Sequence, residues 1–221
     1  MSFDFSNIKW DDFWVATYET FYMTIIGLAG TLVFGLFLGL LLFLTAKDGM
    51  WHNKFVYFIT TSFVNIFRAV PFIILIFLLT PISKMILGTI RGPNAALLSL
   101  IVGAGPFYGR LVEIALREVD KGVIEASKSM GAKLRTIIFR VLIPESLPAL
   151  VSGLTVTAIA LIGYTAIAGV IGAGGLGNYA YYFGFQRRSQ DIVIACSVAL
   201  VLIVFLFQFI GDKITSHLDK R

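Results

Sequence analysis

Between residues 20 and 46, and again between 146 and 186, the chain carries no charged side chain. About 20 consecutive apolar residues cross the roughly 30 Å hydrocarbon core of a bilayer as a helix. The first run therefore spans it once with some tilt, and the second is too long for one helix. With 57% hydrophobic and 14% charged residues, the composition lies outside the range of soluble domains. The reading is an all-α integral membrane protein, in which charges and glycine or proline breaks mark where the chain leaves lipid.

On that basis five spans are expected. Residues 1–19 alternate aromatic and polar groups, with Trp10, Phe13, Trp14 and Tyr18 suited to the headgroup zone, and read as an interfacial segment. Asp4, Asp11 and Asp12 give it the wrong charge for a cleaved signal. A single permeation domain is expected over 20–215, with 216–221 as a tail. Span one, 20–46, carries Gly27, Gly30, Gly35 and Gly39, a small-residue face for close helix packing. Span two, 55–83, is apolar except for Arg68, and Pro71 should kink it. An arginine at membrane depth is costly unless paired or facing water, so Arg68 either braces this kink or touches what passes through. Span three, 92–109, is interrupted at 103–106 by Gly103, Gly105 and Pro106, a bend along a pathway or a close helix contact. Span four runs from about 147 to 171 and ends on Gly172-Ala-Gly-Gly-Leu-Gly177; span five is 192–211.

Seven basic residues, Arg110, Arg117, Lys121, Lys128, Lys133, Arg135 and Arg140, crowd the interval between the third and fourth spans. Such an excess marks a cytoplasmic loop, which puts the N-terminus outside and the C-terminus inside; Arg187 and Arg188 dissent. Within the loop, over about 117–144, Leu134, Ile137, Ile138, Val141 and Leu142 repeat at helical spacing. Gly131 suits a helix end, and Pro144 should stop the second helix. By periodicity alone this is equally a surface helix lying on the membrane.

Several chemistries find no support. Cys196 can form no intrachain disulfide, and His52 and His217 lack metal-ligand spacing. The net charge of +5 is spread between apolar spans and does not gather into a nucleic-acid surface. The glycines at 172, 174 and 177 match a dinucleotide fingerprint formally, but they follow a membrane helix and not a strand. No P-loop lysine motif occurs, so no cofactor is expected in this chain.

The order of residues in the loop is more specific than its periodicity. Glu125, Ala126, Ser127, then Gly131, then Val141, Ile143 and Pro144 resemble the signature loop of permease subunits in bacterial ATP-binding-cassette importers. Ser127 stands where a second Ala is usual and Val141 where Ile is common. In that family the loop is a coupling helix seated in a groove of a separate ATPase. The resemblance therefore implies a non-catalytic transport subunit of five spans, with the coupling helix between the third and fourth, in the small type I architecture. It also implies a homodimer in the cytoplasmic membrane, two copies of an ATPase carrying ATP and Mg, and an external binding lipoprotein.

The segments Asn-Ile-Phe-Arg-Ala-Val-Pro-Phe (65–72), Leu-Ile-Pro-Glu-Ser-Leu-Pro (142–148) and Gly-Ala-Gly-Gly-Leu-Gly (172–177) are most similar to the methionine branch of the family. Methionine is thus the implied substrate and methionine-binding the implied lipoprotein, with another amino acid or small solute as alternative. Residues 155–170, uncharged and bearing Ala158, Gly163, Ala166, Ile167 and Ala168, are the expected pathway wall, with Arg68 and Pro71 as further candidates. An ion-coupled carrier is the rival class. Such carriers keep acids near mid-membrane, and Glu113 lies at the inner end of a span.

Overall fold

The computed structural model describes residues 8–219. Its elements, all helical among the described residues, are α1 (Trp10–Thr45), α2 (Lys54–Ala69), α3 (Phe72–Leu87), α4 (Pro93–Arg117), α5 (Lys121–Ser129), α6 (Leu134–Ile137), α7 (Ile143–Ala168), α8 (Gly175–Tyr179) and α9 (Gln190–Leu218). Wider π-type turns at Ile138–Leu142, Gly169–Ala173 and Ala180–Phe185 connect α6 to α7 and flank α8. Helix α1, the rod 134–171 that runs from α6 through α7, α4 and α9 are each long and apolar enough to cross a membrane. Helices α2 and α3, bent by 112° at the break between them, reach that length and apolarity only as a pair.

Several boundaries differ from those expected. Helix α1 does not begin at residue 20: it is unbroken over 36 residues from Trp10, because nothing between 10 and 19 disfavours helix. The aromatic residues 10–18 form its first turns, and residues 1–7 of the expected interfacial segment lie outside the described residues. Span three extends to Arg117, and α4 passes through Pro106 without a break. Helix α9 includes 216–218 of the expected tail, of which 220–221 lie outside the described residues. Pro144 does not stop the loop helix. It sits in the first turn of α7, directly after the π-type turn in which the Ile143 N–H donates to the Ile138 carbonyl five residues back. A wider turn there carries the rod past a residue that has no N–H to give.

The glycine faces are used for packing. A Cβ on Gly35 would lie 2.7 Å from the Tyr108 ring and 2.9 Å from the Gly105 carbonyl; on Gly39 it would lie 2.6 Å from the Gly109 carbonyl. Helices α1 and α4 thus cross backbone to backbone, as small-residue faces allow in membranes.

The run at 172–177 closes the end of the bundle away from the loop between α4 and α7. Gly172, Gly174 and Gly175 have φ of 100°, 85° and 78°, values that only glycine adopts without cost. They reverse the chain so that α8 returns onto α7, where the Asn178 amide donates to the Gly169 carbonyl (3.0 Å). The start of α8 is held by α1. The Gly175 N–H donates to Glu19 Oε2 (2.6 Å) and the Leu176 N–H to Thr20 Oγ1 (2.9 Å). We expect Glu19→Ala to lower the thermal midpoint of the purified protein, a hydrogen bond to a charged group being worth about 1.5–3 kcal/mol and less here because Glu19 is half-exposed. Glu19→Gln should recover part of the loss. A midpoint unchanged in the alanine variant would remove the clamp.

Candidate functional site

The loop between α4 and α7 is built to hold a fixed shape. Asp120 caps α5, its Oδ1 accepting from the Gly122 N–H (2.6 Å). At the other end Gly131 takes φ 77°, its N–H donating to the Lys128 carbonyl (2.9 Å) while the Ala132 N–H donates to the Ser127 carbonyl (3.1 Å). These two bonds are the paired closure by which a left-handed glycine ends a helix. The chain then turns into α6 and the rod.

One side of the loop is glued to the bundle. Ile124, Ile137 and Leu142 are buried in one cluster with Val112, Leu116 and Val119 at the end of α4. Ser127 is buried with them, its hydroxyl donating to the Val123 carbonyl (2.8 Å). Val141 and Ile143 are half-buried on the same cluster. The opposite side is open: Glu125, Ala126, Gly131 and Pro144 are exposed. The signature residues therefore divide into an outward set and an inward set on a single short segment.

Beside the outward set stand Met130 and Phe139, 81% and 66% exposed. The motif did not single them out; their apolar character at an otherwise basic loop is the signal that was available. Two exposed large apolar residues flanking a polar motif suit a protein contact.

The last turns of α4 are fixed by Glu113, whose carboxylate is only 1% exposed. Its Oε1 accepts from Arg117 Nε (3.1 Å) and Nη2 (2.7 Å), and its Oε2 from Arg110 Nη1 (2.5 Å). The two arginines, about one and three turns before α5, neutralise the buried charge. Spacing of three and four residues on one helix made these pairs available in the sequence, but burial of the acid was not.

Along α7 the five pathway candidates separate. Ala158 and Ala168 are 1% and 0% exposed and pack into the bundle, Ala168 beside Phe72 and Ile76. Gly163 faces open space, with nothing within 4 Å of where its Cβ would be. It lies in line with Val156 and Val170, 49% and 40% exposed, and with half-buried Ile167; Ala166, also half-buried, adjoins this stripe. Arg68 is in the last turn of α2 and Pro71 is the residue before α3, so both stand at the 112° elbow. Beside Arg68 opens a cavity of about 270 Å³.

With this geometry in view, relatives can be compared. Residues 31–221 match the family described as binding-protein-dependent transport system inner membrane component. The chain belongs to that family. As an inner membrane component of this kind it is a multi-pass membrane protein and a transport subunit, not an enzyme. It is 61% identical over 217 residues to the methionine import system permease protein MetP of Bacillus subtilis, covering 98% of each chain. To the D-methionine transport system permease protein MetI of Escherichia coli K12 it is 42% identical over 204 residues, 92% of this chain and 94% of that one. Its fold superposes on a chain of the inward-facing MetNI methionine ABC transporter with a TM-score of 0.94, 40% identity and full coverage of both. The five-span, all-α architecture with the loop between the third and fourth spans is that of this inner membrane component family.

Proposed function

We propose that this chain is the membrane-spanning subunit of an ATP-driven methionine importer. Two copies enclose the pathway, two copies of a cytoplasmic ATPase carry ATP and Mg, and an extracytoplasmic methionine-binding lipoprotein delivers the substrate. The N-terminus lies outside with the first turns of α1 in the headgroup zone, and the C-terminus lies inside, in accord with the basic loop.

One observation carries the mechanism. The second helix of the loop and the pathway helix form one helical run, 134–171, which carries a π-type turn at Ile138–Leu142 and ends where Gly172 leaves helical backbone. Its inner end bears Phe139 and Pro144 and is cemented to α5 through Ile124; its outer half bears Gly163. When the ATPases close on nucleotide, a displacement of the exposed side at Glu125, Ala126 and Gly131 is passed through the buried cluster to the rod. The pathway then changes its open side. A packed cluster is the right transmitter, since close-packed interiors have low compressibility.

The rival ion-coupled reading loses its main support because Glu113 is already neutralised by Arg110 and Arg117. The deciding measurement is uptake of labelled methionine into vesicles holding this chain with its ATPase and binding protein, with and without ATP. ATP-dependent accumulation is expected. Accumulation of a different solute on the same terms replaces methionine alone, whereas uptake that follows an ion gradient without ATP overturns the importer.

A further inference from the structure

A hydroxyl inside a helix can give its proton to the carbonyl one turn back, and those of Thr24, Ser146 and Thr157 do so here, at 2.7–2.8 Å. Ser83 on α3 and Ser99 on α4 do not. They are 2% and 1% exposed, and neither hydroxyl meets a partner among the described residues. Burying a polar group without a hydrogen bond is costly, and the large majority of buried side-chain polar atoms have a partner in protein or in ordered water.

The two serines open onto the same space. On α3, Ile76, Thr80 and Ser83 recur at steps of four and three, and on α4 Ala95 and Ser99 stand four apart, so each helix gathers its residues on one face. Together they line a cavity of about 20 Å³, completed from the end of α7 and the turn after it by Ala168, Ile171 and Ala173. One water needs roughly 10–15 Å³ on this measure, so the space takes a single water and nothing larger. None of the described residues that line it is charged, which gives a cation no counter-charge. Ile90, 51% exposed in the connection from α3 to α4, borders the same cavity and leaves water a way in.

The hydrogen-bond capacities match as well. Thr80 already gives its proton to the Ile76 carbonyl (2.7 Å), and its oxygen is left as an acceptor. A water that accepts from Ser83 and Ser99 and donates to Thr80 makes the three bonds typical of buried waters.

We propose that one ordered water occupies this cavity and fastens α3 to α4 through Ser83, Thr80 and Ser99. It acts where α3 is weakest. Pro81 stands between the two α3 hydroxyls and has no N–H to give to the helix, so the bridge braces a turn that the backbone holds poorly. The site does not depend on which solute is carried.

The test is a structure of the full-length protein in nanodiscs, at a resolution that shows ordered water. A single density peak within about 2.5–3.0 Å of both serine hydroxyls is expected. An empty cavity, a direct bond between the two hydroxyls, or hydroxyls turned onto their own helix carbonyls would overturn the site. Ser83→Ala and Ser99→Ala then distinguish a bridge from a chance occupant. Losing a hydroxyl that has a partner is destabilising, whereas losing a buried one without a partner is not. Each variant should lower the thermal midpoint by roughly 2–4 °C, and the peak should vanish when both are combined. Midpoints unchanged or raised in both single variants would overturn the bridge. Should the variants insert poorly, the peak in the wild type decides alone.

Discussion

Gly131→Val is expected to reduce ATP-dependent uptake at least tenfold while the protein inserts normally and the partner ATPase continues to hydrolyse ATP. The reason is local. Gly131 has φ 77°, and a residue with a Cβ in that conformation costs roughly 1–2 kcal/mol, more for a β-branched side chain. Nothing lies within 4 Å of the added Cβ, so no clash disturbs the bundle and the cost is borne by the loop alone. The loop can relieve it only by giving up the closing bonds from Gly131 to Lys128 and from Ala132 to Ser127. That frees the end of α5 from the start of α6 and so loosens the joint between the exposed motif and the rod. Gly131→Asn is the control, since asparagine visits the left-handed region, and should keep most of the uptake. The readout is the ratio of methionine imported to ATP hydrolysed in reconstituted vesicles. A valine variant with a normal ratio would remove the coupling role from this turn.

How much of this was legible in the sequence depended on whether the cause was local. The uncharged run at 20–46 announces a span and its second end by composition, but not the start of the helix at Trp10, and the loop's basic excess marks the interval between α4 and α7. Gly131 and Pro71 announce backbone geometry that few other residues share, and both stand where a helix ends or turns. Pro144 misled for the same kind of reason. A proline usually stops a helix, yet a single widened turn before it removes the conflict, and nothing in the residues 138–142 signals that turn. The remaining features are decided by partners far away along the chain. Glu19 and Thr20 cap a helix that begins 156 residues later, and the glycine run at 172–177 requires them because the tight return of α8 leaves its first N–H groups without a local acceptor. Glu113 looked like a lone acid at a span's inner end; its burial between two arginines follows from the tertiary packing of α4. Likewise Ala158 and Ala168 share with Gly163 a small side chain and an uncharged helix. Only the neighbours show that two of them fill the bundle while the third faces out.

That difference makes Gly163 the sharper probe of the pathway. Gly163→Trp should abolish methionine uptake while leaving insertion, assembly and thermal stability close to wild type, because the indole enters open space and meets no described atom within 4 Å of its Cβ. If the stripe through Val156, Gly163, Ile167 and Val170 faces the passage between two copies, a tryptophan on each obstructs it from both sides and no rotamer clears it. Ala158→Trp and Ala168→Trp must behave otherwise. Both positions are essentially without exposed surface, so the ring has to displace packed neighbours, and overpacking of that size costs about 1–3 kcal/mol or more. These two variants should fail by losing stability, visible as a lowered thermal midpoint and poor yield, whereas Gly163→Trp should fail as a stable, inserted and non-transporting protein. Normal uptake by a fully assembled Gly163→Trp would place the passage elsewhere. Instability shared equally by all three would mean that Gly163 is covered in the assembled transporter and serves as a contact between copies, with the open line along α7 acting as a seam and the passage running beside it.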